Sequence, residues 1–282
     1  MEARRFGGTF IDDDIQLKRD AAFPTKAVAA LACLPFSDGY AAGAYADGGL
    51  TIWRLDNQGA AASWVGHRGG AATSVCHMEG SKLASVGSDG YGRVWDTTAV
   101  DKCIWSSPPP TREGEEPSMR IKKQFTSVSR VDAHVVIAGR KDSSWRVYDT
   151  RLGSRVTEVG RCEMNDWCMC VEADGGQGSH MVRASDKAVK IFDLRRCGSP
   201  LQQRHQSPRL LTRFCSDGRY RLVSCGLDGR VLVSSLERDD SKRGPSEVHS
   251  EDDYMLACAF DSARLVVAGL RGKVNIFGFD GR

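Results

Sequence analysis

A hairpin signature repeated six times in phase restricts the fold of this chain more than any other feature. In "LASVGSDGYGRVWD", Leu83 to Asp96, a small-apolar run leads into a turn at Asp89, and an alternating run leads out to Trp95 and Asp96. The same arrangement returns around Asp47, Asp142, Asp186 and Asp228, and Arg271 takes the turn position in a sixth copy. The intervals are 42, 53, 44, 42 and 43 residues. Six residues past the turn positions stand Trp53, Trp95, Tyr148, Phe192, Ser234 and Phe277, aromatic in five of the six copies. One such motif arises by chance, but six in phase do not. A period of this length with Gly and aromatic signatures points to a propeller or another repeat architecture.

Each copy reads as strands. "KLASVG", "HVVIAG" and "RLVSCG" precede the turn, and "GRVW", "WRVY" and "AVKIF" follow it. Their period-2 alternation with β-branched and aromatic residues predicts half-buried strands. Asp-Gly or Asp-Ser between them supplies the positive φ of a two-residue hairpin turn. A strand precedes each hairpin ("VAALACL", "ATSVCHM", "FTSVSRV", "WCMCVEA", "LLTRFCS", "MLACAFD"), and a fourth follows the aromatic, as in "AASWVGH" and "DKCIWSS". Four short antiparallel strands make one blade. No stretch longer than one turn shows helical periodicity.

From about Ala27 to its end the chain resembles the WD-repeat β-propellers. The second copy matches best, with Gly66-His67 ahead of its first strand, Asp89 in the turn and Trp95-Asp96 after it. The resemblance implies that His67, Ser85, Asp89 and Trp95 form a hydrogen-bonded network tying that blade's strands together. Such a network stabilises only when every member is satisfied. The other copies lack the Gly-His, the fifth lacks the aromatic and the sixth lacks the turn Asp. A repeat fold tolerates these losses because its stability is spread over the copies.

The expected fold is all-β: one propeller domain over residues 1–282, built of six four-stranded antiparallel blades. Seven is the count if one blade is missing or supplied by a partner. Residues 1–26 are too few for a blade, and the resemblance implies that an N-terminal strand closes the last one. "TFIDDDIQLKRD" is the candidate, with Ile15 and Leu17 alternating with Gln16 and Lys18. The 53-residue interval holds an insertion at 106–120, "SSPPPTREGEEPSMR". Its Pro, Ser and Glu content cannot bury a core, which predicts an exposed loop, either a tolerated insertion or a docking or modification loop.

Composition narrows the function. The net charge of +3 gives no electrostatic reason to expect nucleic acid. The N-terminus "MEARRFGGTF" lacks the apolar run of a secretory signal, and the longest apolar run, Ala27 to Leu34, is too short to span a bilayer. Cytosol or nucleus is the expected compartment, with no membrane insertion. Ten cysteines raise the question of zinc, but there is no Cys-x2-Cys, only Cys168 and Cys170 around one residue. Cys76, Cys215 and Cys258 each lie 13 residues before their turn positions, with Ser129 in that slot of the third copy and Cys33 at 14. Small side chains in equivalent slots of the first strand read as packing, and Cys225 reads as core. No metal or cofactor is expected.

No Gly-x-Ser-x-Gly elbow, phosphate-cradling Gly-Lys-Ser/Thr loop or His-Glu-x-x-His occurs. His67, His77, His134, His180, His205 and His249 do not cluster in sequence. A hydrolase assembled from several blades at the axis is the lesser alternative. The main reading is a non-catalytic scaffold that binds other proteins through its loop faces. On the turn face the candidate anchors are Arg68, Trp167, Arg209, Tyr254 and Arg271, since aromatic and Arg side chains dominate interfaces. "HSEDDYM" adds an acidic loop and "RIKKQF" a basic one. Against this, Trp167 and Tyr254 would serve equally as plugs between blades, and the charges as a solvated rim. The third and fourth copies end "VYDTR" and "IFDLR". Tyr148, Asp149 and Arg151, and Phe192, Asp193 and Arg195, resemble the Trp-Asp-x-Arg box of propellers that serve as substrate receptors of cullin-RING ubiquitin ligases. That resemblance implies a ligase adaptor as partner. The plainer reading is that each Arg pairs with the adjacent acid.

Overall fold

The computed structural model describes residues 4–5, 28–33, 39–54, 59–99, 101–107, 117–152, 158–173, 181–196, 199–216, 221–235, 245–250, 252–260, 264–271 and 273–278. Its first strand is β1 (Arg4–Arg5). Then come β2 (Val28–Cys33), β3 (Tyr40–Tyr45), β4 (Gly49–Arg54) and β5 (Ala60–Val65). β6 (Ala72–His77), β7 (Lys82–Gly87), β8 (Gly92–Asp96) and β9 (Cys103–Ser106) form the next group. After the helix α1 (Pro117–Lys122) come β10 (Phe125–Arg130), β11 (Val135–Arg140), β12 (Ser144–Asp149) and β13 (Glu158–Glu163). β14 (Cys170–Ala173), β15 (Met181–Ser185), β16 (Val189–Asp193) and β17 (Gln202–Arg204) follow. The last groups are β18 (Leu211–Ser216), β19 (Arg221–Gly226), β20 (Arg230–Ser235) and β21 (Ser246–Ser250), then β22 (Met255–Phe260), β23 (Arg264–Gly269) and β24 (Val274–Gly278).

Each group is one sheet in sequential order, and the sixth gains β1 as its fourth strand beside β24. Among the described residues, six four-stranded antiparallel sheets thus correspond one to one with the six sequence copies. They fall into two compact units. β2 to β17 lie within Lys26–Leu211, and β18 from Thr212 on, β19 to β24 and β1 make the other.

The alternation of each copy explains its packing. Side chains on β7 and β8 point to opposite faces, and both faces are covered by a neighbouring sheet. Leu83 and Trp95 pack with Leu50, Ile52 and Trp64 of the first sheet. Ala84, Val86 and Val94, on the other face, pack with Phe125, Val136 and Tyr148 of the third. The aromatic six residues past each turn is what reaches back. The ring centroids of Trp95 and Trp64 are 5.7 Å apart, those of Tyr148 and Trp105 6.0 Å, and those of Phe192 and Trp145 5.3 Å. These tilted and edge-on contacts add roughly 0.5–1.5 kcal/mol each beyond buried area. In the second unit Phe277, Leu265 and Val267 pack with Val223, Cys225 and Val231 in the same way.

Three local expectations are corrected. The hairpin loop in "VGSDGYG" has three residues, not two, closed by the Gly87 N–H to the Tyr91 carbonyl at 3.1 Å. Gly90 alone has positive φ there, at 80°. Gly48, Ser143 and Gly229 repeat this after Asp47, Asp142 and Asp228. A left-handed residue closing a right-handed turn needs one positive φ where a two-residue primed turn needs it at one or both central positions. Second, the insertion ends in a helix: α1 begins at Pro117, a residue preset for a helix start. "RIKKQF" is therefore the helix end and the start of β10 rather than a loop, and Arg120, Ile121 and Lys122 are exposed. Residues 108–116 of the insertion lie outside the described residues. Third, an N-terminal strand does complete the last sheet, but it is β1, with Arg4 opposite Gly278 and Arg5 opposite Phe277. The segment "TFIDDDIQLKRD" lies outside the described residues.

Candidate functional site

The second sheet brings His67, Ser85, Asp89 and Trp95 together. The Trp95 indole N–H donates to Ser85 Oγ at 2.8 Å. Ser85 Oγ lies 2.8 Å from His67 Nε2, and His67 Nδ1 lies 2.9 Å from Asp89 Oδ1. One proton assignment satisfies all of them: Ser85 donates to Nε2, and Nδ1–H donates to the carboxylate. Arg93 Nη1 donates to Asp89 Oδ2 at 2.7 Å, adding a fifth member that sequence reading missed. Burial pushes the Asp89 pKa up, but the hydrogen bonds from His67, Arg93 and the Tyr91 amide outweigh it and hold the carboxyl below its ordinary value. Gly87 is required beside this network, because a Cβ there would run into His67 Nδ1 and the Ala71 carbonyl.

Ser85, His67 and Asp89 are also arranged as a Ser-His-Asp triad is. A triad is defined by roles, and the nucleophile must be reachable. Ser85 is 1% exposed, His67 is fully buried, and the Ser85 lone pair is occupied by Trp95. The cavity against Ser85 holds only about 10 Å³, room for one water. The relay is built to tie β7 and β8 to the loop before β6.

Two histidines, His205 and His249, take places equivalent to His67 without the preceding Gly that marks it. His249 lies 22 residues before Arg271, as His67 lies 22 before Asp89. It is buried, its ring is 5.3 Å from Phe277, and its Nε2 is 3.4 Å from Asn275 Nδ2. His205, one residue out of phase, is 2% exposed, and burial lowers its pKa to about 4.

Arg68, Trp167, Arg209 and Tyr254 stand in the loops ahead of first strands, and Arg271 in a hairpin turn. Arg68, Trp167 and Arg209 are exposed in the Lys26–Leu211 unit. Tyr254 and Arg271 are exposed in the other, where Asp253 accepts hydrogen bonds from the backbone amides of both, at 2.8 and 3.1 Å. Trp167 has the richest surroundings. It stands in the loop ahead of β14, 41% exposed, with its own amide donating to Asp166 Oδ1 at 2.8 Å. Lys141 Nζ, from the preceding hairpin turn, sits 5.2 Å from the indole centroid. Asp166 pairs with Lys187 at 3.1 Å, and its pKa is lowered first by the Trp167 amide and then by Lys187. Asp166 also lines a polar pocket of about 210 Å³, together with Asn165, Lys187, Gln203, Gln206 and Ser207. Asp186 and Lys190 pair at 2.6 Å at the pocket, and both are buried. Asp186 also accepts from the amides of Asn165 and Ala188, at 3.1 and 3.0 Å, which offsets the cost of burying the pair.

Arg151 and Arg195 fold back on their own blades. Arg151 Nε and Nη2 reach Asp149 at 2.9 and 2.5 Å, and Arg195 Nε and Nη2 reach Asp193 at 2.9 and 2.7 Å. Hydrogen bonds from Arg151 hold the Asp149 carboxyl down to about 2. The guanidinium side chains remain 62% and 68% exposed. Tyr148 and Phe192 are buried in the cores. Among the described residues no group of three His, Cys, Asp or Glu side chains is placed to hold a metal ion, and burial raises the thiol pKa of Cys168 well above its ordinary value.

Comparison with known proteins bears on this geometry. The family model described as "WD domain, G-beta repeat" matches residues 60–96, the segment that contains the whole His67 network. The chain is 27% identical over 206 residues, 72% of its length, to the "Guanine nucleotide-binding protein subunit beta-like protein" of Encephalitozoon cuniculi. It spans about half of that relative, 54% of its length. Among solved structures it is similar to the crystal structure of the computationally designed Ika8 protein, with a TM-score of 0.62 and 17% identity over 90% of this chain and 71% of that one. At that identity the likeness is one of fold. Residues 60–96 match one WD repeat, and the six copies of the same hairpin make the chain similar to the WD-repeat proteins.

Proposed function

We propose that the chain is a non-catalytic protein-interaction module of a multiprotein complex and that Trp167 is its anchor in the Lys26–Leu211 unit. The observation that carries this is a large aromatic, 41% exposed, next in sequence to Asp166, which lines a polar pocket of about 210 Å³. A buried Trp that fills a gap between sheets needs no such pocket. An interface anchor combines apolar area with nearby groups that take up a partner's backbone, and here Gln203, Gln206 and the Asp166–Lys187 pair supply them. The name of the Encephalitozoon relative, a subunit-like protein, agrees with action through other proteins. The net charge of +3 favours protein over nucleic acid, and no described helix is long and apolar enough to cross a membrane. Cytosol or nucleus is the proposed compartment. The test compares the proteins that co-purify with wild type and with Trp167→Ala. Selective loss of a partner from a folded variant supports the assignment, and an unchanged set refutes it.

A second reading, a substrate receptor of a cullin-RING ligase, is favoured by two exposed guanidinium groups in the same pose on successive sheets. Arg151→Ala with Arg195→Ala then abolishes association with a cullin adaptor. Retained association, or none in the wild type, removes this reading.

A further inference from the structure

The repeat that puts cysteines in equivalent slots also decides which of them meet. The slot 13 residues before each turn lies on the first strand of each sheet and holds Cys76, Ser129, Ala173, Cys215 and Cys258 in successive copies. The first strands of successive sheets run side by side where both sheets lie in one compact unit. In the Lys26–Leu211 unit, Ser129 Oγ accepts the Ala173 amide at 3.2 Å across such a boundary. In the other unit the same boundary separates β18 from β22, and there both slots hold thiols. Cys215 Sγ and Cys258 Sγ are 3.6 Å apart, which is van der Waals contact between sulfurs. Both residues are only partly buried. Cys225, near the end of β19, is buried and contributes a third thiol hydrogen-bonded to Cys258.

We propose that Cys215 and Cys258 are a redox modification site, a dithiol that a peroxide converts to a disulfide joining the first strands of the fifth and sixth sheets. The Cys215 thiolate attacks one peroxide oxygen, the O–O bond breaks, and the oxygen that leaves takes up a proton, giving a sulfenic acid and water when the peroxide is hydrogen peroxide. Cys258 then attacks the sulfenic sulfur, the S–O bond breaks, and a second water leaves with the Cys258 proton. Two thiols lose two electrons and the peroxide gains them. The sulfurs must close from 3.6 Å to a bond length of about 2.05 Å, a movement within reach of side-chain rotation. Hydrogen bonds to Cys215 and Cys225, together with burial, raise the Cys258 pKa well above its ordinary value, and Cys225 is fully buried, so the partly exposed Cys215 meets the peroxide first. Cys168 and Cys170, by contrast, are both buried, and Cys168 Sγ faces the Cys170 carbonyl at 3.9 Å rather than its sulfur.

The test uses the full chain, reduced, freed of reductant and treated with hydrogen peroxide under native conditions. Free thiols are then blocked and the peptides mapped without reduction. The expected result is a Cys215–Cys258 cross-linked peptide that returns to two alkylated peptides when reductant precedes blocking. Cys258→Ser should leave Cys215 as a sulfenic acid captured by a dimedone probe. The wild-type map needs no variant to fold. Full alkylation of both cysteines after peroxide overturns the proposal, as does a dominant Cys215–Cys225 link. A Cys215–Cys258 yield no higher in native protein than in protein oxidised in denaturant overturns it too.

Discussion

Replacing Ser85 with Ala removes one oxygen and leaves two buried groups without a partner. Ser85 Oγ sits 2.8 Å from both the Trp95 indole nitrogen and His67 Nε2. Trp95 is 5% exposed and His67 fully buried, so bulk solvent reaches neither group. An orphaned buried donor or acceptor costs about 1–3 kcal/mol, so the pair of them should cost roughly 2–4 kcal/mol after partial relaxation. The loss is local to β6, β7 and β8, and hydrogen exchange followed peptide by peptide reads it there without assuming that the chain unfolds in one step. At about 1.4 kcal/mol per tenfold, amide protection in Ala72–Asp96 should fall between about 30-fold and about 1000-fold, while β22 to β24 keep theirs. A Ser85→Ala/Trp95→Phe double variant should cost less than the sum of its singles, because the indole N–H is no longer stranded. A change below about threefold, or an equal loss in both units, would refute the reasoning that the network holds this sheet.

His205 should make the fold acid-sensitive. Its ordinary value of 6.5 falls to about 4 in the fold, so between these the unfolded chain binds a proton that the folded chain does not. Stability is then complete above about pH 6.5 and declines as pH falls, by about 3 kcal/mol at pH 4, and His205→Asn should flatten that slope in urea midpoints measured across the range. Asn also suits the φ of 51° at this position. Gly87→Ala should destabilise more than Ser85→Ala, since the added carbon meets the His67 ring and the Ala71 carbonyl, and melting temperatures would rank the two. Arg151→Ala should change stability by under about 1 kcal/mol, as befits an exposed pair. Its signature is instead an NMR titration in which the Asp149 carboxyl rises from about 2 towards 3.8.

The strands were legible because alternation and turn chemistry are local. All six hairpins and the strand ahead of each fall where "KLASVG", "ATSVCHM" and their equivalents predict them. The His67 network was readable in the one copy that keeps every member. His249 sits at the same spacing, but its Ser, Asp and Trp have become Val267, Arg271 and Phe277, so no motif marks it. The Cys215–Cys258 contact depends on neighbouring sheets, and a single copy carries no information about what lies across that boundary; the pocket at Asp166 forms within one copy, from loops whose conformation the alternation does not encode. The loop length at Ser88–Gly90 was misjudged because Asp-Gly serves both a primed turn and a right-handed turn closed by a left-handed Gly.

The central claim is that partners are held at the turn side beside Trp167, not along the outer strands. A photo-crosslinking amino acid placed at Gln206, on the pocket wall, tests it against one placed at Ile104, exposed on the outer strand β9. The account predicts partner adducts from position 206 that vanish with Trp167→Ala, and none from position 104. Adducts from 104 alone, or adducts from 206 that survive the loss of Trp167, would contradict it.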